Sequence, residues 1–544
     1  MKSRQRASRK RGAPLGTPLA EGTGSGRARE VTLVTREALL PSHNPPVRGL
    51  FERTRTTCRS TVPRLGYQSP EKSAENDGAD AGVLRNHRGE NPMSPRASVI
   101  SHRLRVLASF CSDRRVLWGA LAVSCCAMSS FHAAAQEVSY VVMGPDDAVA
   151  RAILQKDVPC PAINVDGAQQ QMDVRAKPNP SDRNDPFPVT VCEKLIPPSA
   201  KFASISGKAL PLPKDTLANI VVIGDTGCRM KAASGDIEDQ EDGESQSCNR
   251  RSEWPFAKIS SAAAAVKPDL VIHVGDYLYR ASECGDPDRC QGSPYGDDWP
   301  AWNADFFSPA KDLLAAAPWI ITRGNHEICR RAGVGYFRLL DPVLARGQVP
   351  PPCADNIPPY NVRIAGKEFI LLDSSGGSDQ DPPPPGDVER YRTQFSSLKP
   401  APNSWLISHR PIWGVKTRDR FINESLHNAL PAPDHLLPTE IELVLSGHIH
   451  LWEAIGFTDR SSPQFVVGDG GTKLVKDINK TAKHRFPDKE IWERKVDVKG
   501  SRSEQEWGFT QFTPRAGGWT ASLRGANGGK LVKCTVVKGE VDCR

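Results

Sequence analysis

Residues 271–279 read VIHVGDYLY, and the interpretation of the whole chain starts from this stretch. An apolar, β-branched run closed by Gly275 and Asp276 predicts a buried strand with the aspartate at its carboxyl end. In open α/β sheets, that end gathers ligand-binding side chains. Gly-Asp also suits a turn, so Asp276 taken alone fits a loop equally well. Other strands ending in the same way would favour a binding site.

Four further apolar runs end in side chains that can bind a metal ion. The strands predicted at 218–223, 319–322, 405–408 and 441–445 are followed by Asp225, Asn325, His409 and the pair His448 and His450. Each residue singly fits a turn or a core position. Five such runs in order are hard to explain in that way, because strand ends in an α/β sheet meet at one edge. We therefore expect these side chains to converge.

Helical segments alternate with these strands and indicate the fold class. Within residues 254–266, Ile259, Ala262, Ala263 and Val266 recur at the spacing of one helix face. Strands that alternate with helices predict a layered α/β core.

The expected ligands are carboxylates, an amide oxygen and imidazoles. Together they favour iron, manganese or zinc over a soft metal bound by thiolates. A carboxylate suits a bridging position because its oxygens can reach two ions. Two ions about 3.5–4 Å apart can clamp the attacking and leaving oxygens of a phosphoryl transfer. The ligand set therefore indicates a dinuclear centre.

The order of these motifs resembles a known family. Gly-Asp, Gly-Asp, Gly-Asn-His-Glu, His and Gly-His-x-His, over roughly residues 217–470, is similar to the signature of the calcineurin-like metallophosphoesterases. The resemblance implies an α/β fold with a four-layer α-β-β-α sandwich core. The first motif of the superfamily is commonly Asp-x-His, whereas residues 225–227 read DTG. Tyr279, three residues after Asp276, makes the chain most similar to the purple (tartrate-resistant type) acid phosphatases, whose tyrosine binds ferric iron. A core or rim position is the alternative for this tyrosine.

The resemblance also implies a role for each site residue. The first metal would be held by Asp225, Asp276, Tyr279 and His450, and the second by Asp276, Asn325, His409 and His448, with Asp276 bridging. His326, the implied catalytic residue, would contact the phosphate or protonate the leaving oxygen, and a hydrogen bond to a ligand is the alternative. The implied cofactor is a pair of metal ions, Fe(III) with Fe, Zn or Mn(II). Three negative ligands would leave this pair with a positive surplus that attracts phosphate and lowers the pKa of bound water.

Some features depart from the family pattern. Residues 451–453 read LWE, where the purple enzymes usually continue with Tyr-Glu-Arg. The cysteine-bracketed loops at 228–248 and 284–290 are also outside the pattern and leave the substrate preference open. Three arginines adjoin site residues and could bind phosphate, although solvated surface positions are expected for most of them: Arg280, Arg323 and Arg410.

The first 115 residues differ from the remainder in charge. They contain 22 Lys and Arg against 10 Asp and Glu, a balance of +12 in a chain of +8, so the remainder carries −4. No hydrophobic periodicity there lasts long enough to build a core. Residues 1–115 are expected to be a basic leader that is disordered or untranslated, with Met93 as an alternative start. A nucleic-acid-binding arm is the other interpretation, but the remainder has no net charge that favours nucleic acid.

A secretion signal is predicted within residues 93–135. Arginines precede the uncharged run 116–128, and Ala133–Ala135 forms an A-x-A site with cleavage before Gln136. The apolar run is short for a bilayer span, so no stable membrane insertion is expected after cleavage. The expected location is periplasmic or secreted.

Ten cysteines follow the predicted cleavage site. An even number in an exported chain predicts disulfides, although sequence leaves their connectivity open. Neighbouring pairs such as Cys284–Cys290 and Cys534–Cys543 are expected. A zinc site is disfavoured, because no C-x-x-C pair occurs.

Changes in pattern along the chain predict its domains. Residues 136–215 are expected to form a small β-rich preface, 216–480 the metallophosphoesterase domain, and 481–544 a β-rich extension packed on the core. The expected protein is an exported hydrolase that cleaves monoesters of small phosphorylated substrates by attack of metal-bound hydroxide. Phosphodiesterase or nucleotidase activity at the same site is the alternative. A non-catalytic binding protein should have lost ligands, yet the full set is present.

Overall fold

The computed structural model describes residues 138–230, 245–380, 382–417, 420–421, 424–430, 436–457, 461–475, 490–491, 494–495, 502–537 and 539–544. The basic leader, the secretion signal and the acidic insertion at 236–244 lie outside the described residues. All eight predicted site residues lie within them.

Short strands and helices alternate through the described chain. The strands are β1 (Val138–Gly144), β2 (Asp147–Gln155), β3 (Ala162–Val165), β4 (Ala168–Gln171), β5 (Asp173–Ala176), β6 (Val189–Leu195), β7 (Ala203–Ile205), β8 (Lys208–Ala209), β9 (Ile220–Ile223), β10 (Leu270–His273), β11 (Trp319–Ile321), β12 (Tyr360–Ile364), β13 (Lys367–Leu372), β14 (Ser404–Ser408), β15 (Val415–Thr417), β16 (Arg420–Phe421), β17 (Ile441–Ser446), β18 (Trp452–Ile455), β19 (Gln464–Val467), β20 (Glu490–Ile491), β21 (Arg494–Lys495), β22 (Arg502–Glu504), β23 (Gly508–Arg515), β24 (Gly518–Gly525), β25 (Lys530–Val537) and β26 (Glu540–Cys543). The α-helices are α1 (Phe256–Ala265), α2 (Pro287–Cys290), α3 (Trp299–Trp302), α4 (Ser308–Leu314), α5 (Gly333–Leu339), α6 (Pro385–Ser397) and α7 (Glu424–Ala429). A π-helix (Asn303–Phe307) joins α3 to α4, and a 3-10 turn covers Asn325–Glu327.

Two large mixed sheets form the centre of the molecule. The first has the strand order β26-β25-β24-β23-β9-β10-β11-β1-β2-β6-β5, and the second has the order β12-β13-β14-β17-β19-β18-β22. In the first sheet β9, β10 and β11 run parallel, and in the second β13, β14, β17 and β19 do the same. Each sheet therefore presents a row of parallel carboxyl ends.

The two sheets and their helices stack in four layers. Alternate side chains of a strand point to opposite faces, so Val222 joins Leu445 in the core between the sheets, while Val221 packs with Ile259 of α1 outside the first sheet. Outside the second sheet, Tyr391 of α6 belongs to a third apolar cluster with strand residues. The predicted α-β-β-α sandwich is confirmed.

Strands from both ends of the described chain complete the first sheet. β1 pairs in parallel with β11, and β23 pairs antiparallel with β9. The strands β1, β2, β5 and β6 on one side, and β23 to β26 on the other, extend the same sheet that carries Asp276. A separate four-stranded sheet has the order β4-β3-β7-β8.

A buried ion cluster ties the amino-terminal strands to the segment after α5. The Arg175 guanidinium lies 2.8 Å from the Glu193 carboxylate and 3.0 Å from that of Asp341, and it also donates to the Phe337 carbonyl. Arg151 donates to the Asp341 carbonyl. All four charged side chains are almost fully buried, where an ion stays charged only if it is paired.

Five disulfides join cysteines that are neighbours in sequence order: Cys160–Cys192, Cys228–Cys248, Cys284–Cys290, Cys329–Cys353 and Cys534–Cys543. The two pairs predicted from spacing are both present. None of the helices in the described part of the chain combines the length and the apolar character needed to cross a membrane.

Candidate metal centre

The predicted ligands meet where the carboxyl ends of the two sheets face each other. β9, β10 and β11 of the first sheet lead to Asp225, Asp276 and Asn325, and β14 leads to His409 in the second sheet. β17 leads to His448 and His450. The structure brings all of them together, with Tyr279 and His326 beside them.

Three of these residues leave their strands through a left-handed backbone conformation. The φ angles are 54° at Asp225, 60° at Asp276 and 71° at His448, a region that costs an ordinary residue about 1–3 kcal/mol. Such strain persists at functional sites because the surrounding structure holds it. Gly324 is required beside it, since a Cβ at that position would overlap the carboxylate and the backbone nitrogen of Asp276.

One half of the site surrounds the Tyr279 hydroxyl. This oxygen lies 3.0 Å from Asp225 Oδ1, 2.7 Å from Asp276 Oδ2 and 2.8 Å from His450 Nε2. The other nitrogen of His450, Nδ1, is 3.0 Å from the Lys473 carbonyl, which can only accept a hydrogen bond. Nδ1 must therefore carry a proton, and the lone pair of a neutral His450 is on Nε2, directed at Tyr279 and Asp225.

The other half surrounds the side-chain oxygen of Asn325. His409 Nε2 lies 2.9 Å from this Asn325 oxygen and 3.3 Å from Asp276 Oδ2. His448 Nδ1 lies 2.8 Å from the same Asn325 oxygen. His409 donates its Nδ1 proton to the Val274 carbonyl at 2.8 Å. The lone pair of a neutral His409 therefore also points into the site.

The ligand atoms of the site direct lone pairs at one another, and such an arrangement requires a cation or a proton between them. Asp276, His409 and His448 each direct one ligand atom to a common point, with these atoms within 4.8 Å of one another. Burial alone would lower the pKa of His409, but the carboxylates of Asp276 and Asp225 raise it to about 9. A proton on His409 thus supplies part of the positive charge that the acceptors require. The donor set fits metal cations, and Asp276 Oδ2 belongs to both halves of the site.

His326 lies at the rim of the Tyr279 half. Its backbone N–H donates to Asp276 Oδ1 at 2.9 Å, and its ring centre is 3.9 Å from that of Tyr279. Nδ1 is 3.1 Å from the Leu278 carbonyl and 2.9 Å from Arg331 Nη2. Nε2 lies 3.2 Å from the same Arg331 nitrogen and 4.0 Å from Asp276 Oδ2. The backbone of His326 therefore orients a site carboxylate, and its imidazole remains outside the set of converging ligand atoms.

Comparison with known proteins assigns this arrangement to a family. Residues 218–451 match the family model of the calcineurin-like phosphoesterases, a span that contains all eight predicted site residues. The chain contains a calcineurin-like phosphoesterase domain. The family predicted from the motifs is confirmed, and this family uses dinuclear metal centres.

Plant phosphatases are among the relatives of this chain. Purple acid phosphatase 1 of Ipomoea batatas is 24% identical over 194 residues, which are 32% of this chain and 39% of that protein. Phosphoenolpyruvate phosphatase of Allium cepa is 25% identical over 228 residues, 38% of this chain and 44% of that protein. The chain thus spans less than half the length of these two relatives.

Solved structures give more distant matches. A purple acid phosphatase from yellow lupin (Lupinus luteus) seeds is 14% identical, with a TM-score of 0.46 over 75% of this chain and 74% of that one. The structure of PhoD is also 14% identical, with a TM-score of 0.44 over 75% of this chain and 91% of that one.

Glu327 holds the backbone around Asp276, and the sequence did not predict this role. Its buried carboxylate accepts hydrogen bonds from four backbone N–H groups, those of Asp276 (3.0 Å), Tyr277 (2.9 Å), Leu278 (3.2 Å) and Gly324 (3.0 Å). Burial and the charge of Asp276 raise the pKa of Glu327 to about 7, against the lowering effect of these amides. The signal in the sequence that could have identified Glu327 is its position in the Gly-Asn-His-Glu motif.

The three arginines that adjoin site residues are buried, so the expectation of solvated positions for most of them was wrong. Arg280 pairs with Asp305, Arg323 with Asp373 and Arg410 with Asp379, each at 2.5 Å. Each carboxylate neutralises a guanidinium that could not otherwise remain buried. Asp305 also accepts from the backbone N–H of Tyr279 at 2.8 Å, and so holds the segment that carries this phenol.

Asp469 is a buried acid behind the site. It follows β19, is 0% exposed, and neither of its carboxyl oxygens is hydrogen-bonded to another residue that the structure describes. Burial raises the pKa of Asp469 to about 8. The adjacent Gly468 lies against the Asp225 carboxylate, since a Cβ there would be 3.1 Å from Oδ2.

Proposed function

We propose that this chain is an exported metal-dependent phosphatase that hydrolyses phosphate monoesters at a dinuclear centre. The observation that carries the proposal is the convergence of buried acceptor atoms on two adjacent points, the Tyr279 hydroxyl and the Asn325 side-chain oxygen. Acceptors do not stabilise one another without intervening protons or cations. The family match supports metal ions as the cations.

The two halves correspond to two ion positions. Asp225, Asp276, Tyr279 and His450 would hold the first ion, and Asp276, Asn325, His409 and His448 the second. When bound, such a pair polarises the phosphoryl group and lowers the pKa of water for in-line attack. The protein fixes the ligands through backbone carbonyls of Val274 and Lys473, which set the tautomers of His409 and His450.

His326 is the residue that we assign to proton transfer. Nδ1 lies between the Leu278 carbonyl, to which it can donate, and Arg331 Nη2, from which it can accept. When Nδ1 donates to Leu278, a second proton on Nε2 would be held on the side of the ring nearer Asp276. Transfer of this proton to the leaving oxygen would return a neutral imidazole that keeps its Nδ1 hydrogen bond. The Arg331 guanidinium beside the ring adds positive charge where a phosphate would enter.

Tyr279 supports iron in the first position. Burial and the carboxylates of Asp225 and Asp276 raise the pKa of this phenol well above its ordinary value, so a strong cation is needed to ionise it. Fe(III) bound by a tyrosinate absorbs visible light. Purified protein should be coloured, and Tyr279→Phe should remove the colour. A colourless, active enzyme that contains only manganese or zinc would refute iron and leave the phosphatase proposal intact.

Hydrolysis of a chromogenic phosphate monoester tests the site itself. Asn325→Ala and His409→Ala should each lower kcat by more than about 100-fold, because even the loss of a partner of a ligand typically costs 10–100-fold. Asn184→Ala, at an exposed position, is the matched control and should retain full activity. Undiminished hydrolysis in both site variants would refute the assignment of these residues, and a parent without hydrolysis would favour the non-catalytic alternative. A parallel panel of diesters and nucleotides separates the monoesterase from the phosphodiesterase or nucleotidase alternative.

Export is supported by the five disulfides, which form and persist in oxidising compartments. The mature protein should begin at Gln136. Amino-terminal sequencing of the secreted or periplasmic form tests this directly. A mature chain that retains peptides from the region before residue 93 would contradict both the cleavage site and the late start.

A further inference from the structure

A carboxylate outside the family motifs contacts one of the proposed ligands. Asp379, in the loop that follows β13, places Oδ2 2.8 Å from His448 Nε2 and Oδ1 2.5 Å from the Arg410 guanidinium. It precedes His448 by 69 residues, and no pattern in the chain connects the two. His448 therefore has one ring nitrogen toward the site and the other toward an ion pair.

Nε2 of His448 faces the ion pair of Asp379 and Arg410. It lies 2.8 Å from Asp379 Oδ2, which can only accept, and 2.9 Å from Arg410 Nη1, which can only donate and already donates to Asp379 Oδ1. The bond to Asp379 therefore places a proton on Nε2. The lone pair of neutral His448 is then on Nδ1, which lies 2.8 Å from the Asn325 oxygen inside the site. Arg410 donates to the same carboxylate and keeps it charged. A carboxylate on the far nitrogen orients a ligating imidazole and raises its basicity.

This arrangement distinguishes His448 from the other two site histidines. His409 and His450 donate their outer protons to backbone carbonyls, which are neutral acceptors. Of these three rings, His448 alone has a carboxylate on the nitrogen that faces away from the site. A substitution of a side chain that is not itself a ligand can therefore change the basicity of His448, but not in the same way that of His409 or His450.

The loop of Asp379 is itself fixed. The backbone N–H of Arg410 donates to Ser374 Oγ at 2.8 Å, at the start of the loop. At its other end, Ser378 and Ser425 exchange hydrogen bonds of 3.3 Å and 3.2 Å. Arg410 directly follows His409. The loop of Asp379 is therefore bound both to the strand end that carries His409 and to the ring of His448.

We propose that Asp379 is a positioning residue that orients His448 and sets the affinity of the second metal position. The proposal rests on the dinuclear centre proposed above. It predicts a selective effect, since within the described residues Asp379 is hydrogen-bonded to His448 and Arg410 and not to Asp225, Tyr279 or His450, which belong to the first position.

Metal binding by the full chain tests this role without an activity assay. Asp379→Asn removes the charge while keeping the shape, and the side chain is 33% exposed, so no cavity is created. Asp387→Asn is the matched control, since this aspartate pairs with Arg390 near the same loop and touches no site residue. Each protein is dialysed to equilibrium against buffered free Zn²⁺, and bound zinc is counted by mass spectrometry.

The parent and the Asp387→Asn control should bind two ions per chain. Asp379→Asn should bind one ion as the parent does and the other about 10–100-fold more weakly. Two ions bound with parental affinity would overturn the positioning role. Loss of both ions with a lowered Tm would assign Asp379 a structural role instead. A parent that binds fewer than two ions would refute the dinuclear proposal, which is a separate result.

Discussion

The buried Asp469 should make the stability of this protein fall as the pH rises. Its ordinary pKa is near 4, and burial without a partner raises the pKa to about 8 in the folded chain. Between these values the unfolded chain has lost a proton that the folded chain keeps. The folded state therefore binds more protons, and the free energy of unfolding decreases with pH in this window. The stability is fully present below about pH 4 and is lost toward about pH 8.

The size of the effect follows from proton linkage. One proton difference changes the free energy of unfolding by about 1.4 kcal/mol per pH unit. Between pH 5 and pH 7 the parent should therefore lose about 2.7 kcal/mol through Asp469 alone. Asp469→Asn has nearly the same shape and does not titrate, so this contribution should vanish. All other groups titrate in both proteins and cancel in the difference.

Urea unfolding of the parent and of Asp469→Asn at pH 5, 6 and 7 measures this difference, with equal metal content in every sample. At each step to higher pH, the free energy of unfolding of the variant should increase relative to that of the parent, whatever the stability of the variant at pH 5. A difference that is constant within about 0.5 kcal/mol from pH 5 to 7 would refute the reasoning, because two units of linkage predict several times that change. It would mean that the Asp469 carboxyl is ionised in the folded protein and has a partner.

Three further perturbations test the supports of the site and of the sheet. Glu327→Gln should lower the free energy of unfolding by about 2–6 kcal/mol, since two buried N–H groups lose an acceptor at about 1–3 kcal/mol each, and the exposed Glu389→Gln should be neutral in the same urea titration. Arg175→Ala should cost about 3–5 kcal/mol, because it removes the ion-pair partner of the buried Asp341 and one of the two partners of the buried Glu193. An effect below about 1 kcal/mol would contradict the buried cluster. Replacing Cys228 and Cys248 together with serine should cost about 3 kcal/mol through the loop that the disulfide closes, and adding reductant to the double variant should then have a smaller effect on Tm than adding it to the parent.

The convergence of the candidate ligands could be predicted from the sequence because most of them closely follow the apolar run that places them. The apolar run shows where the strand lies, and the residue after its carboxyl end is the candidate ligand. One local pattern therefore gives both the strand and the ligand. Asp276 illustrates this, since β10 ends at His273 and the aspartate follows within the next turn. Order along the chain then indicated the family, and the four layers followed from it.

Two of the supporting carboxylates, Asp305 and Asp379, could not be predicted in this way. Asp305 precedes no motif and reaches the Tyr279 backbone only because a π-helix turns it inward, and Asp379 meets His448 across 69 residues of chain. Arginine is usually exposed, so the burial of Arg280 depends on a partner that the local sequence does not reveal. Such pairs result from tertiary packing, and no periodicity encodes them.

The first sheet limits how far this protein can be trimmed. A fragment cut to residues 218–451, the span that matches the family model, would lack β1 and β23. β11 and β9 would then become bare sheet margins, each with unpaired N–H and C=O groups immediately before Asn325 and Asp225. Exposed apolar strands of this kind pair with other chains and aggregate. The smallest fragment that avoids such aggregation should therefore contain the whole eleven-stranded sheet with its partners, from about Val138 to Cys543.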